Sequence, residues 1–231
     1  VIFTSSLLLG LAPDAGWFMY TPLSSSHYSP GLNSDFWLLG VTFVEISTMA
    51  AGIEIAVSIL RTRASGMALH QMPVFAWAML VTSLMIVTGF PPLILGSILL
   101  ELERAAGWAF FDPTRGGDAV LWQHLFWLFG HPEVYIIFLP AAGIVSTVVP
   151  TFARRPLDGY ELVVVAIIGT GFISFGLWVH HMFTTGIPLV SLGFFAAASM
   201  AVAIPSGIQV FAWIATLWNG RPVLGVPLLF I

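Results

Sequence analysis

Three histidines, a glutamate and a tyrosine stand inside long apolar stretches of this sequence. They occur in two short segments, residues 130–135 (Gly-His-Pro-Glu-Val-Tyr) and residues 178–183 (Trp-Val-His-His-Met-Phe). A charged side chain at the centre of a bilayer costs roughly 2.5–3.5 kcal/mol on insertion scales. Residues retained at such a cost mark metal sites, proton routes or ligand sites. We therefore expect the chemistry of this chain at these two segments.

His131, His180 and His181 are candidate ligands of one metal ion, because imidazole is a common ligand of copper, zinc and iron. Successive residues of an α-helix point about 100° apart. His180 and His181 therefore reach one ion only if their helix is distorted, or if the ion lies beside it and the third ligand comes from a neighbouring helix. The alternative is that each histidine is hydrogen-bonded in a polar bundle interior. An adjacent pair with a third histidine at matching depth favours the metal.

Tyr135 and Glu133 follow His131 on the same predicted helix. Tyr135 is four residues further on, so its side chain stacks on the helix face of His131. A phenol beside a metal-bound imidazole can donate a proton and an electron together. Glu133 points away from that pair, and a carboxyl buried at this depth suits a proton relay. The alternative for Glu133 is a hydrogen bond to a neighbouring helix.

Other polar residues in the apolar stretches leave two interpretations open. Glu45 and Glu54, on the first full helix, are equally compatible with proton relay and with hydrogen bonds between helices. Ser146, Ser199 and Ser206 could line a hydrated path, or they could serve as contacts between helices. His124 is interpreted as structural.

Composition places these residues in a membrane protein. Of 231 residues, 58% are hydrophobic and 8% are charged, whereas a soluble domain carries about 25% charged residues. The absence of cysteine excludes disulfides, thiolate metal sites and c-type heme attachment on this chain. Every basic residue is an arginine, so no lysine can carry protons. Basic tracts are lacking, which argues against a nucleic-acid partner.

Five segments exceed the about 20 apolar residues that a membrane-spanning helix needs. They are residues 36–60, 72–100, 119–152, 162–183 and 187–218, and the second and fifth contain no charged residue. Shorter apolar stretches stand at both ends. We expect an all-α, polytopic transmembrane helical bundle with five full helices and a partial helix at each end. We expect residues 1–231 to form one transmembrane domain, an interior fragment of a longer protein.

Arginines predict the orientation of the bundle. One set of alternate loops holds five arginines, and the opposite loops hold only Arg104 and Arg115. The positive-inside rule therefore places the first set, Arg61, Arg63, Arg154, Arg155 and Arg221, on the cytoplasmic side. His131 and His180 then both fall in the outer part of the membrane.

Residues 122–135 (Trp-Gln-His-Leu-Phe-Trp-Leu-Phe-Gly-His-Pro-Glu-Val-Tyr) closely resemble the signature helix of subunit I of the heme–copper oxygen reductases, cytochrome c oxidase type. Residues 110–113, 116–118, 151–154, 178–183 and 204–211 match other segments of that family. The resemblance extends from about residue 16 to the end of the chain. It implies that the five helices are the fourth to eighth of a twelve-helix subunit.

The resemblance also implies an activity and a set of partners. The whole protein would be a respiratory-chain enzyme of the bacterial cytoplasmic or mitochondrial inner membrane, which reduces dioxygen to water and pumps protons. Cytochrome c would be the electron donor, and subunits II and III would be partners. The full subunit would hold two hemes, whose axial ligands lie on helices that this sequence does not contain.

Site residues follow from the same resemblance. His131, His180 and His181 take the positions of the three copper ligands, and Tyr135 that of the tyrosine joined covalently to the first of them. Glu133 takes the position of the gating carboxyl of one proton pathway. Ser47 and Thr48 lie near that first pathway. Ser146 and Ser206 match hydroxyl positions of the second pathway, and Gln209 stands where that pathway usually has a lysine.

Three other functions compete with this interpretation. A quinol oxidase has a nearly identical subunit I, and its donor is decided by a partner subunit. A nitric oxide reductase is disfavoured, because that branch lacks an equivalent of Tyr135. A non-redox metal or ion transporter could also use intramembrane histidine and glutamate, but we find no paired, broken segments in inverted halves.

Overall fold

Apolar stretches of this length become helices because in hydrocarbon each backbone N–H and C=O must find its partner within the chain. The computed structural model describes residues 1–231 and contains helices and no strand, which confirms the predicted all-α fold. The helices are α1 (Ile2–Leu8), α2 (Asn33–Arg61), α3 (Val74–Ala106), α4 (Ala119–Ala153), α5 (Tyr160–Ser174), α6 (Leu189–Ala201), α7 (Ala203–Trp218) and α8 (Val226–Leu229).

Five helical segments are long and apolar enough to cross a membrane, as predicted. Three are α2, α3 and α4. The fourth runs from Tyr160 to Met182 and combines α5 with a short 3₁₀ helix, Trp178–Met182. The fifth combines α6 and α7, which meet at Val202.

The end of α3 differs from the prediction. The helix continues six residues beyond residue 100 and ends at Gly107, whose left-handed φ of 74° stops it. Its last turns therefore contain Glu101, Glu103 and Arg104, which lie beyond the uncharged apolar segment 72–100. Falling hydropathy marks where a helix leaves the apolar layer, whereas a glycine that adopts positive φ marks where the helix itself ends.

Helix α3 lies at the centre of the bundle, between α2 and α4, and α5 packs against both α3 and α7. One apolar cluster joins α3 to α4 through large side chains, among them Phe90, Trp122 and Phe126. A second cluster joins α3, α4 and α5. At Gly143 on α4 an added Cβ would stand 2.8 Å from the Cβ of Ala78. The absence of a side chain there lets α3 and α4 approach closely, as small residues do in membrane bundles.

Contacts between loops define one end of the bundle. The backbone N–H of Arg221 donates to Ala153 O at 2.9 Å, and that of Val223 donates to Phe152 O at 3.0 Å. The connection after α4 and the connection after α7 therefore lie side by side. This brings Arg154, Arg155 and Arg221 to the same end, in agreement with the predicted alternation.

A buried ion pair holds the opposite end. Arg104 on α3 donates to both carboxylate oxygens of Asp35 on α2, at 2.7 and 2.9 Å. The two side chains are 4% and 16% exposed. Arg104 also donates to the carbonyls of Ser24, Ser29 and Gly31. Paired and hydrogen-bonded in this way, the guanidinium joins the N-terminal loop to α2 and α3.

The loop between α3 and α4 is organised by carboxylates. Glu103 Oε2 accepts the backbone N–H groups of Phe110, Phe111 and Asp112, at 2.8, 2.7 and 3.3 Å. Hydrogen bonds from Thr114 and Arg115 hold the pKa of Asp112 below its ordinary value. The loop carboxyl is therefore ionised at neutral pH and keeps its contact with Arg115.

Candidate metal centre

A break in the fourth span brings His180 and His181 to the same point. Helix α5 ends at Ser174, and the chain continues as the 3₁₀ helix Trp178–Met182, which turns more tightly than an α-helix. The Nε2 atoms of the two histidines lie 3.1 Å apart. A distorted helix, one of the two arrangements that the sequence left open for this pair, is therefore present.

His131 completes the group from the middle of α4. Its side chain is buried, and its Nδ1 lies 3.2 Å from Nε2 of His181. One ligand nitrogen from each of the three histidines lies within 4.8 Å of the others. The structure thus brings together the three side chains that the sequence proposed as metal ligands.

The donor set fits a transition-metal ion. Histidine nitrogens bind such ions at about 2.0–2.1 Å, as measured for zinc, so two nitrogens on one ion lie no more than about 4 Å apart. The separations of 3.2 and 3.1 Å within the cluster satisfy this limit. Three imidazoles without a carboxylate or thiolate suit copper, zinc, iron or nickel rather than magnesium or calcium.

Ser199 on α6 contacts His180 at Nδ1, the ring nitrogen that faces away from His181. Its hydroxyl donates to Phe195 O at 2.6 Å and lies 2.7 Å from Nδ1 of His180. A hydroxyl has one hydrogen to donate, so with that hydrogen on Phe195 O the Ser199 oxygen accepts Nδ1–H. Nε2 of His180 then keeps its lone pair free, and Nε2 is the atom that faces His181.

Trp127 fixes the plane of His181. The two rings are stacked, with centroids 3.8 Å apart and planes inclined by 6°. The indole N–H of Trp127 donates to the hydroxyl of Tyr20 at 2.6 Å. Trp127 is one helical turn before His131 on α4, so α4 positions one candidate ligand, His131, and the ring that supports another, His181.

Tyr135 lies next to His131, on the same side of α4. Their ring centroids are 5.0 Å apart and their planes are inclined by 59°. Nδ1 of His131 faces the other histidines, whereas its Nε2 is buried and has no hydrogen-bond partner. This leaves Nε2 as the nitrogen available for an interaction outside the histidine cluster.

Glu133 projects to a different region, as expected from its position on the helix. It lines a cavity between α2 and α4 together with Thr48 and Glu45. Thr48 donates its hydroxyl to Val44 O at 2.8 Å. Ser47 is exposed on α2 and does not line this cavity.

The residues of the second predicted pathway lie on α7 and on α4, which contacts α7. Ser146 is buried and accepts the indole N–H of Trp213 at 2.9 Å. Ser206 donates to Val202 O on its own helix. Gln209 is fully buried; its amide donates to Pro205 O at 3.3 Å, and its Oε1 has no partner. None of these side chains contacts the three histidines through a hydrogen bond.

Sequence reasoning missed one feature of the site and anticipated another. Ser199 was noted only as one of several serines, since nothing in the sequence fixes which helix face meets a loop from another span. His124 accepts the indole N–H of Trp178 at 3.2 Å and so ties α4 to the 3₁₀ helix, which supports its structural interpretation.

Comparison with known proteins gives consistent matches over the chain. The family model for cytochrome c and quinol oxidase polypeptide I matches residues 1–231. Cytochrome c oxidase subunit 1 of Bacillus subtilis is 48% identical over 221 residues, which cover 96% of this chain and 35% of that protein. Quinol oxidase subunit 1 of the same organism is 42% identical over 230 residues, covering 100% of this chain and 35% of that protein. The chain thus spans about a third of the length of these relatives.

Proposed function

The chain belongs to the cytochrome c and quinol oxidase polypeptide I family, and from this premise we propose that it forms the copper-binding centre of a respiratory oxidase. The whole enzyme would reduce dioxygen to water with electrons from cytochrome c and couple this reaction to proton pumping across its membrane. Subunits II and III would complete the complex. Two hemes would be bound by histidines outside this chain.

The observation that carries the proposal is the convergence of His131, His180 and His181 within 4.8 Å at one point of a transmembrane bundle. Copper bound there would supply an ion that changes its charge by one electron. The protein contributes the geometry: α4 provides one imidazole, and the broken end of the fourth span provides two. Ser199 and Trp127 hold two of these rings in place, which keeps their lone pairs directed at one point.

Tyr135 and Glu133 are proposed to handle protons beside this centre. The phenol of Tyr135, next to His131, would give its hydrogen to the reacting oxygen and later recover it. Glu133 lines the cavity that also contains Thr48, away from Tyr135, and would hold a proton on its way to the site. The second route would include Ser146, Ser206 and Gln209, where a neutral amide can bind water but cannot carry a proton as an ammonium can.

The electron donor is proposed to be cytochrome c because the relative with 48% identity is named a cytochrome c oxidase subunit. A quinol oxidase is the second candidate, supported by the quinol oxidase subunit with 42% identity. The two are separated by supplying the purified complex with reduced cytochrome c or with a quinol and measuring oxygen uptake. Uptake with quinol alone would replace the first proposal by the second.

The proposal is tested on the full-length subunit in its complex. His181→Asn should abolish oxygen uptake and remove copper while the optical spectrum of the hemes persists. His70→Asn, which changes an exposed histidine outside the spans, is the matched control and should keep both oxygen uptake and copper. Full copper occupancy in His181→Asn would refute the ligand assignment. Metal transport without oxygen uptake by the unaltered complex would favour the transporter instead.

A further inference from the structure

Glu45 is a buried carboxyl that the proposed mechanism does not use. It lies on α2, its side chain is 4% exposed, and neither of its oxygens has a hydrogen-bond partner. Leaving one such group unsatisfied costs about 1–3 kcal/mol. Two interpretations were open for Glu45, a proton relay and a hydrogen bond to a neighbouring helix. The structure shows no such hydrogen bond. A partner from outside the chain is required.

The space for that partner is a cavity of about 390 Å³ that Glu45 lines. Its walls come from the N-terminal segment, α2, α3 and α4, and most of them are apolar. The polar groups among them are Glu45, Thr48 and Glu133. Because the Thr48 hydroxyl donates to Val44 O, its oxygen remains free to accept. Liquid water occupies about 30 Å³ per molecule, so the cavity has room for several waters.

No basic side chain lines this cavity to balance a negative charge. Arg104, at the far end of α3, is already paired with Asp35. Glu133 is the other titratable group on the cavity wall, and α3 and the N-terminal segment contribute only apolar side chains there. An unpaired carboxylate in such surroundings is penalised by several kcal/mol. The arrangement therefore favours a Glu45 that carries its proton and is hydrogen-bonded to water.

On the premise of the oxidase function above, we propose that Glu45 is a second proton-carrying carboxyl. It holds one proton together with water in the cavity and passes that proton through the water to the α4 wall where Glu133 lies. The step breaks the O–H bond of Glu45 and forms one on a cavity water, and that proton moves on along the water. A hydrated proton that enters the cavity then restores the O–H bond of Glu45, so one proton enters for each one that leaves. No electron moves, and the proposal requires nothing of the charge on Glu133.

The substitution Glu45→Gln distinguishes a proton-carrying role of Glu45 from a purely structural one. Glu45→Gln keeps the volume and the hydrogen bonds to water but removes the exchangeable proton, whereas Glu45→Asp keeps the proton on a shorter side chain. The matched control is Glu54→Gln, on the same helix but exposed and outside the cavity. All variants are made in the full-length subunit, assembled with its partners and reconstituted in vesicles.

Two measurements decide the proposal. The first is oxygen uptake as a function of pH. Glu45→Gln should slow turnover about tenfold, less than the 10²–10⁴ of a group that meets the reacting atoms, and should change the pH profile. Glu45→Asp should recover part of the rate, and Glu54→Gln should match the unaltered enzyme. The second is the infrared C=O band of protonated carboxyls, which should lose intensity in Glu45→Gln and not in Glu54→Gln.

A normal rate, pH profile and infrared band in Glu45→Gln would overturn the proposal. If that variant does not assemble, Glu45→Met takes its place with the same expected results, and normal turnover in Glu45→Met would equally overturn it. Copper content and oxygen uptake of the unaltered complex are measured first. Their absence would refute the oxidase function, while the infrared band would still decide whether Glu45 holds a proton.

Discussion

Ser199 Oγ lies 2.7 Å from Nδ1 of His180, and this contact determines which nitrogen of His180 faces the other two histidines. The serine is on α6 and the histidine is on the 3₁₀ helix after α5. The candidate ligand His180 is therefore oriented by a different span from the one that carries it. Such partners of metal-binding histidines set both the tautomer and the direction of the ring.

Ser199→Ala should weaken copper binding by about 10–100-fold, the usual effect of removing a hydrogen-bond partner of a ligand. The physical reason is that Nδ1 of His180 loses its acceptor, so the ring can rotate and change tautomer. Copper affinity is measured on the full-length subunit by competition with a chelator. Ser206→Ala is the matched control, since that hydroxyl bonds only to its own helix. Equal affinities in the two variants would show that Ser199 does not orient the ligand.

Tyr135 should be joined to His131 in the active enzyme. The Nε2 of His131 has no hydrogen-bond partner and the two rings are 5.0 Å apart between centroids. Bond formation removes one N–H and one C–H hydrogen, with dioxygen as the oxidant. Mass spectrometry of a peptide covering residues 127–138 should show the loss of two hydrogens. The same peptide from Tyr135→Phe is the control, and an unmodified mass in active, unaltered enzyme would exclude the bond.

Glu133→Gln should lower turnover by about 10²-fold or more, within the range for loss of a proton-transferring group, and should abolish pumping. Gln209→Met should do less harm, because no charge or exchangeable acid is lost at that position. Oxygen uptake and proton release are measured for both variants in reconstituted vesicles. Normal pumping by Glu133→Gln together with an inactive Gln209→Met would show that the route through Gln209 is the more important one, and would refute the carboxyl relay.

Glu103→Gln should loosen the loop between α3 and α4. The carboxylate accepts three backbone N–H groups, and hydrogen bonds to charged groups are worth about 1.5–3 kcal/mol each. Amide exchange at Phe110 and Phe111 should quicken by about tenfold or more, since about 1.4 kcal/mol corresponds to a factor of ten. Glu161→Gln, on an exposed position of α5, should leave this loop unchanged. Unchanged amide exchange in Glu103→Gln would show that other contacts, and not the Glu103 carboxylate, hold this loop in place.

The membrane spans were predictable because the hydrocarbon layer imposes a minimum apolar length and forces the backbone into helices. The histidine cluster was predictable because adjacent His180 and His181 in an apolar stretch have few other uses. A distorted helix was one of two arrangements that the sequence left open for this pair, and the chain forms a 3₁₀ helix there. The position of the break was not predictable, since the chain at Phe175 and Gly176 carries no proline.

Two aspects of the site depend on how helices rotate against each other. Glu45 is buried while Glu54, nine residues later on the same helix, is exposed, although both stand among apolar residues. Because α2 is apolar on nearly all faces, its hydropathy does not reveal which side meets α3 and α4. The contact of Ser199 with His180 joins α6 to another span in the same way. Only the packed bundle distinguishes these positions.

The histidines of the cluster are separated by up to fifty residues, from His131 to His181, and belong to two spans. Helices of a growing chain become available in order, from the N-terminus onwards. When α4 has entered the bilayer, His131 has no partner, and the ligand set is complete only after the fourth span has crossed and docked beside Trp127. Its support by Ser199 waits for the span after that. On the proposed copper assignment, the ion would be delivered late in biogenesis, to a bundle that has already been assembled.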